Sequence, residues 1–288
     1  MLKKNNLKKS LAVILSLLMM FSLVACGSKT DSSGAAVSAG EETKVLRVGM
    51  ECAYAPFNWT QSDDSNGAVL IQGTEQYANG YDIMYAKKIA DTLGYELEVY
   101  KIEWDGLIPA LTSDKIDAIV AGMCMTDERK QSIDFTDIYY QADIVAITME
   151  GSPYENAKSL DDLAGVTTTS QLNTVWEAVL DQIPDANITP GIDTVPGVIV
   201  SLTSGKSDIV TVDLPTALAA MAANPDIVLL DLSEGDFEVD PGNVDMGIGI
   251  KKGNSELLEA INSVVVTITE EDREAMMNEA IEVQPLSE

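Results

Sequence analysis

The chain has 288 residues, 46% of them apolar, and a formal charge of −28 with no histidine. Length and apolar content are those of a folded protein of one large or two modest domains. The charge argues against a nucleic-acid face, which is basic. The missing histidine removes Ser-His-Asp triads and His-ligated metals, and two cysteines without histidine make a poor metal site; no metal and no cofactor are expected.

Residues 1–25 read as a targeting segment. Lys3, Lys4, Lys8 and Lys9 form a basic stretch ahead of apolar residues 11–24, a run too short for an ordinary spanning helix. It ends in Leu23-Val24-Ala25-Cys26, which resembles a bacterial lipobox. That resemblance implies cleavage before Cys26 and diacylglycerol on its sulfur; a plain secretory signal is the alternative. Residues 26–44 are rich in Gly, Ser, Ala and Thr without apolar period, and read as a flexible tether.

Residues 45–50 predict a strand, running into Glu51-Cys52-Ala53-Tyr54. Residues 62–80 are polar and Gly-containing and read as a loop or hairpin. Ile83, Ala86, Ile89, Ala90 and Leu93 share one helical face over 82–93, with Gly94 as the stop. Residues 95–102 alternate as a strand. Then Leu107, Ile108, Ala110 and Leu111 mark a helix, 116–120 a short buried strand, and 121–129 a loop. This βαβαβ order predicts a mostly parallel sheet, with ligands beyond the carboxyl ends of its strands. Residues 134–140 lead to a strand at 143–149, where the chain crosses into a second lobe. A short helix begins at 159–163, a strand follows at 166–169, and 170–173 form a turn. Helices are expected at 174–183, 195–202 and 215–223, and strands at 208–212 and 227–232. Residues 236–245 are the return crossover, 246–250 a strand, and 255–266 and 270–281 the closing helices.

The 105–123 stretch has an echo 91 positions later, at 196–214. Seven of the nineteen pairs are identical: Gly106/Gly197, Ile108/Ile199, Leu111/Leu202, Thr112/Thr203, Ser113/Ser204, Lys115/Lys206 and Asp117/Asp208. Identity at turn positions as well as apolar ones points to a structural repeat, hence two similar lobes with strand ends facing one cleft.

Four positions carry chemistry. Arg129 follows the lobe-one strand, and guanidinium binds a carboxylate through two parallel hydrogen bonds. Thr174 opens a helix, where free N–H groups favour an anion. Asp213 ends the lobe-two repeat strand and suits an ammonium. Tyr54, Trp59 and Trp104 are aromatics able to wall a side chain. Together they match a zwitterionic α-amino acid. Taken singly, Arg129 reads as a surface cation, Asp213 and Thr174 as helix caps, and the tryptophans as core. Cys52 and Cys124 are either two buried thiols or a disulfide between strand ends.

Tyr54-x-Pro56-Phe57, Gly80-Tyr81-Asp82, 104–111 (WDGLIPAL), 117–123 (DAIVAGM), Thr126-x-Glu128-Arg129, 134–140 (DFTDIYY) and 251–254 (KKGN) occur in this order. From about residue 45 onward the chain resembles the family 3 solute-binding proteins of bacterial ABC importers. The resemblance implies a periplasmic-binding-protein-like α/β fold of two lobes joined by two hinge strands, near 140–143 and 237–246. Lobe one would span 45–141 and 239–288, and lobe two 142–238. It further implies an extracytoplasmic, lipid-anchored receptor with a free amino acid and an ABC permease as partners. Arg129 would clamp the α-carboxylate together with the Thr174 N–H. Asp213 would take the α-ammonium, with Ala121 offering a carbonyl. Tyr54 and Trp104 would flank the ligand side chain. Glu51 stands where binders of basic amino acids similarly place an acid. Cys124 replaces the usual Ser or Thr, and Leu172 stands where Gly is customary. An enzyme on the same fold, similar to cyclohexadienyl dehydratase, is the alternative; it needs an acid–base pair, for which Glu51 and Glu128 are the candidates.

Overall fold

A computed structural model describes residues 44–285. The leader, Cys26 and the tether up to residue 43 lie outside the described residues.

The chain opens with strand β1 (Val45–Met50), whose inner residues are buried. Next come β2 (Ala53–Tyr54), β3 (Asn58–Gln61), β4 (Val69–Leu70) and β5 (Tyr77–Asn79), in a small antiparallel sheet of order β2-β3-β5-β4. The 62–80 stretch is therefore ordered as strand and turn: β5 pairs with β3 from Trp59↔Asn79 to Gln61↔Tyr77. Its own polar side chains tie the loop, with Gln61 Nε2 donating to the Asp63 and Ser65 carbonyls. Helix α1 (Tyr81–Leu93) buries Ile83, Ala86, Ile89 and Ala90 as its period requires, and Gly94 closes it in the left-handed region.

Strand β6 (Glu96–Lys101), helix α2 (Leu107–Thr112) and strand β7 (Ala118–Ile119) follow, then α3 (Asp127–Ser132), β8 (Ile133–Gln141) and β9 (Ile144–Met149). Two expectations need correction here. Residues 127–132 are helix rather than loop, because Thr126 caps them and Asp127 and Glu128 sit in the first turn. The polar 134–140 stretch is itself strand, because β8 lies at the edge of its sheet and leaves six of its nine residues partly or wholly exposed.

The second half contains β10 (Thr167–Thr169), α4 (Val175–Ala178), β11 (Asn187–Ile188), α5 (Val195–Thr203), β12 (Ile209–Asp213), α6 (Leu214–Ala223) and β13 (Ile227–Leu229). The helix expected at 174–183 is one α turn followed by a 3-10 turn, Val179–Gln182. Ile183 is extended because it precedes Pro184, whose ring disfavours the helical region for its predecessor. Strand β14 (Asp245–Lys251) and helices α7 (Ser255–Val265) and α8 (Glu270–Val283) complete the chain.

The two large sheets have orders β6-β1-β7-β14-β8 and β11-β10-β12-β9-β13. In each, four strands run parallel and one, β14 or β9, runs antiparallel to them in the fourth place. The order is thus the same in both, and the repeat seen in sequence occupies the central strand of each, β7 and β12. Its identities have matching tasks. Asp117 Oδ2 accepts the Arg47 N–H at 2.9 Å, and Asp208 Oδ2 accepts the Thr167 N–H at 2.8 Å. Lys115 N donates to the Ala110 carbonyl and Lys206 N to that of Ser201, each at 3.0 Å. The turn between helix and strand needs a left-handed residue, supplied by Asp114 (φ 62) and Gly205 (φ 71). A fixed turn and a side chain that docks the strand explain why those positions match.

The chain leaves the first sheet between Gln141 and Ile144, and returns between Leu229 and Asp245. All five residues of β12 are buried. Ile209 faces the large core shared with the first sheet, while Val210 and Val212 face a smaller core under α5 and α6. A strand covered on both faces presents only its carboxyl end to the cleft, and Asp213 is that end.

Candidate functional site

Arg129 lies in the first turn of α3, a more rigid support than the loop expected from sequence. Nη1 donates to the Cys124 carbonyl and Nη2 to the Asn173 carbonyl, both at 2.9 Å, and the guanidinium lies 5.1 Å from the centre of the Trp104 ring. Stacking on the ring and two carbonyl bonds fix its plane. Those bonds take one hydrogen on each terminal nitrogen, so the group has further N–H donors for a carboxylate. Asn173 belongs to the second lobe, so Arg129 reaches across the cleft. Burial pushes its pKa down from the usual range.

Asp213 ends β12 and caps α6, accepting the Thr216 N–H at 2.8 Å on Oδ1. The capping role considered from sequence is therefore real. It uses one oxygen; the other accepts the Tyr54 hydroxyl at 2.6 Å. Burial raises the carboxyl pKa, and these two bonds pull it back. Tyr54 stacks on Phe57 and meets Trp176 edge-on across the cleft, with ring centroids 6.5 Å apart.

Glu51 follows β1 and is buried. Oε2 accepts Gln171 Nε2 from the other lobe at 3.0 Å, while Oε1 has no partner among the described residues. Burial pushes the carboxyl up to about 7. Thr174 caps α4; its hydroxyl accepts the Glu177 N–H and donates to the Gln171 carbonyl at 2.6 Å. The left-handed residue in this turn is Asn173 (φ 59), so Leu172 needs no glycine-like geometry. Asn173 also donates to Asp105 across the cleft at 3.0 Å.

Ala121 and Cys124 are buried beside these groups. Cys124 contributes its carbonyl to Arg129. Its thiol and that of Cys52 are free, and burial pushes both up to about 12. Two separately buried thiols is the outcome, and a protonated thiol is a weak partner for any ligand.

A cavity of about 890 Å³ lies along Trp104, Arg129, Asn173 and Thr174. Asp105, Asp127, Glu128, Glu177 and Asp181 also line it, with Arg129 as their cation. Glu51, Tyr54, Ala121, Cys124 and Asp213 are not on its wall; Tyr54 bonds to Asp213 and Glu51 to Gln171 across the cleft, while Ala121 and Cys124 are buried in lobe one beside them. Trp59 is not on the wall either: it packs in the small sheet, its indole donating to Gln61 at 3.1 Å. Sequence reasoning missed Gln171, Trp176 and Asp105 as cross-cleft partners. Trp176 offered a signal, as a tryptophan in the first turn of the helix that Thr174 opens; Gln171 and Asp105 offered none, since pairing between lobes leaves no local pattern. Among the described residues there is no group of three or more side chains able to hold a metal.

Gly122 has φ +59, and a Cβ there would lie 2.5 Å from Tyr54 Cε1. Gly122→Ala is therefore expected to displace the Tyr54 ring and loosen its bond to Asp213. The expected cost is about 1–3 kcal/mol of stability, measured by denaturant unfolding. An unchanged midpoint would mean that the ring has room to move.

Two α/β lobes of one topology, linked by two crossovers and meeting at strand ends, define a two-lobed cleft protein of the binding-protein type. The model of the bacterial extracellular solute-binding proteins, family 3, matches residues 46–280, and the chain belongs to that family. A probable histidine-binding protein of Campylobacter jejuni is 32% identical over 223 residues, 77% of this chain and 80% of that protein. An arginine-binding extracellular protein of Bacillus subtilis is 33% identical over 171 residues, 59% of this chain and 58% of that protein. Among solved structures, an amino acid ABC transporter substrate-binding protein from Streptococcus pneumoniae bound to L-arginine aligns with TM-score 0.72. It is 27% identical, over 83% of this chain and 94% of that one. No helix among the described residues is long and apolar enough to cross a membrane.

Proposed function

We propose that this protein is the substrate-binding receptor of an ABC importer for amino acids, and that its ligand is a basic amino acid, L-arginine first. Arg129 takes the α-carboxylate with the Thr174 N–H, and Asp213 takes the α-ammonium with the Ala121 carbonyl. Tyr54 and Trp104 flank the side chain, Cys124 borders it, and Glu51 faces the distal cation. The lobes, 45–141 with 239–288 and 142–238, close on the ligand about hinges at 140–143 and 237–246. The chain is held at the outer face of the cell membrane by a lipid on Cys26, after removal of residues 1–25.

The observation that carries the reading is the pairing of opposite charges on opposite lobes, Arg129 on α3 and Asp213 at the end of β12. The relatives whose names specify arginine, and the arginine-bound solved structure, support the choice of ligand. Calorimetry against the common amino acids, on protein refolded to strip bound ligand, tests it: tightest binding of arginine, lysine or ornithine is expected. Absence of amino-acid binding, or turnover of prephenate or arogenate, would overturn the receptor reading.

Glu51 carries the specificity. Oε1 is buried without a partner among the described residues, a costly arrangement that a guanidinium or ammonium would relieve. Its carboxyl titrates near 7, raised from 4.5. In the ligand-free fold this acid contributes stability below about pH 4.5 that is lost as pH rises through about 7, because ionisation is harder in the folded chain. A cationic ligand reverses that preference. Arginine affinity is therefore expected to rise from pH 6 to pH 8 with proton release, and glutamine affinity to stay flat. Glu51→Gln should abolish the rise and narrow the preference for arginine over glutamine roughly tenfold or more. An unchanged ratio of the two affinities would retire the basic-ligand assignment.

A further inference from the structure

Asp82 lies in the first turn of α1 and is fully buried, in the lobe-one core rather than on the cavity wall. Two chains of hydrogen bonds converge on its carboxylate. On one side the Gly122 N–H donates to the Tyr139 hydroxyl at 2.7 Å, and that hydroxyl donates to Asp82 Oδ1 at 2.7 Å. On the other, the Cys52 N–H donates to Asn58 Oδ1 at 2.6 Å, and Asn58 Nδ2 donates to Asp82 Oδ2 at 2.7 Å. Asn58, Asp82 and Tyr139 are all 0% exposed.

The two backbone groups at the far ends belong to the two loops that form the lobe-one half of the site. Cys52 lies between Glu51 and Tyr54, and is itself left-handed at φ 54. Gly122 lies between Ala121 and Cys124, also left-handed at φ 59. The loops touch, since Gly122 lies directly against the Tyr54 ring. Cys52 carries a Cβ into that strained region, and both buried N–H groups need an acceptor, which these chains supply in addition to the strand pairing on either side.

We propose that Asp82 is a positioning residue for the ligand site, holding the 51–54 and 121–124 loops in register through Asn58 and Tyr139. The proposal rests on those loops forming the ligand site. The direction of the bonds explains why an acid is needed. Both chains deliver a donor to residue 82, so it must accept on both atoms, which a carboxylate does once ionised, above the value of about 7 to which burial raises it, and an amide does not. An asparagine there would turn an N–H group toward Asn58 Nδ2 or the Tyr139 hydroxyl. Asn58 cannot reverse without facing its own N–H2 to the Cys52 N–H. Tyr139 cannot reverse without leaving its hydrogen unpaired, because Gly122 already donates to its oxygen. Whichever way the amide turns, one buried donor is left without an acceptor.

The test uses the refolded full chain in three variants, Asp82→Asn, Tyr139→Phe and both together. Backbone amide exchange is followed in the ligand-free protein, and L-arginine affinity by calorimetry well below each variant's melting temperature. Each single change is expected to speed exchange at Gly122 or Cys52 and to weaken binding about tenfold. The double change should weaken it by little more than the larger single loss, short of the roughly hundredfold product expected of independent sites. Lowered melting temperatures with wild-type exchange at both amides and wild-type affinity would overturn the proposal, leaving Asp82 a stabilising residue only. Multiplying losses would also overturn it, since the two residues would then act separately. If the unaltered chain binds no amino acid, the ligand reading and the proposal fall together. Unaffected variants of a chain that does bind would remove the proposal alone.

Discussion

Arg129→Ala is expected to weaken amino-acid binding by about 2–5 kcal/mol, roughly thirtyfold to several thousandfold, with little change in the fold. The guanidinium is held by the Cys124 and Asn173 carbonyls and by the Trp104 ring. It therefore reaches a ligand already oriented, and binding a carboxylate would cost little side-chain entropy. Its removal would leave a buried carboxylate facing two carbonyls, which is worse than losing one bond. Lysine in its place should recover only part of the affinity, because an ammonium cannot form the two parallel bonds or stack on the indole. The fold should survive, since α3 is capped by Thr126 through the backbone of residue 129 and not its side chain. Calorimetry with L-arginine and L-glutamine measures the effect. Both ligands should lose alike, because they share the α-carboxylate; undiminished affinity would place the carboxylate elsewhere.

Asp213→Asn is expected to weaken binding of the same ligands by about 1.5–3 kcal/mol, roughly ten- to a hundred-and-fiftyfold. Asparagine caps a helix about as well as aspartate, so the Thr216 N–H keeps an acceptor and α6 keeps its start. The charge facing the ammonium is what disappears. The Tyr54 hydroxyl complicates the change usefully, since it donates to the oxygen that does not cap the helix. An amide nitrogen on that side would face the hydroxyl oxygen as a donor, and Tyr54 would turn its hydrogen elsewhere. The melting temperature should move by only a few degrees. N-acetylated arginine, which has no ammonium, should bind the variant and the parent with equal, weak affinity. Normal binding of free arginine by the variant would remove the ammonium assignment.

Much of the framework is legible in the residues because it is set locally. The helical face of 82–93 and its Gly94 stop are periodic and capped, and α1 follows them. The repeat could be read because a helix–turn–strand unit needs the same turn and the same strand-docking acid wherever it occurs. Asp117 and Asp208 do that work in both lobes. What was misread or left open depended on neighbours. The 134–140 stretch reads only as the approach to the strand at 143–149, because an edge strand tolerates polar residues on its open side and so loses the apolar signal. The 62–80 stretch reads as a loop or hairpin, and hairpin strands form there; the sequence does not choose between the two because these strands are only two to four residues long and gain their order by pairing. Arg129 was placed correctly after the strand, but its helix was missed, since six residues hold too little period to detect.

Composition, the order of motifs and the repeat determined by themselves that this chain builds two α/β lobes of one topology and carries a cation and an anion at their strand ends. Those properties follow from backbone hydrogen bonding and apolar period, which act within a few residues. Only the tertiary structure decided which groups meet. Tyr54 and Asp213 are bonded though 159 positions apart, and Glu51 and Gln171 though 120 apart. It also decided that Cys124 offers a carbonyl rather than a thiol, and that Asp82, remote from the cavity wall, holds both loops of the first lobe. Such pairings are set by how two lobes dock and by what burial does to unpaired donors and acceptors. Neither leaves a pattern along the chain.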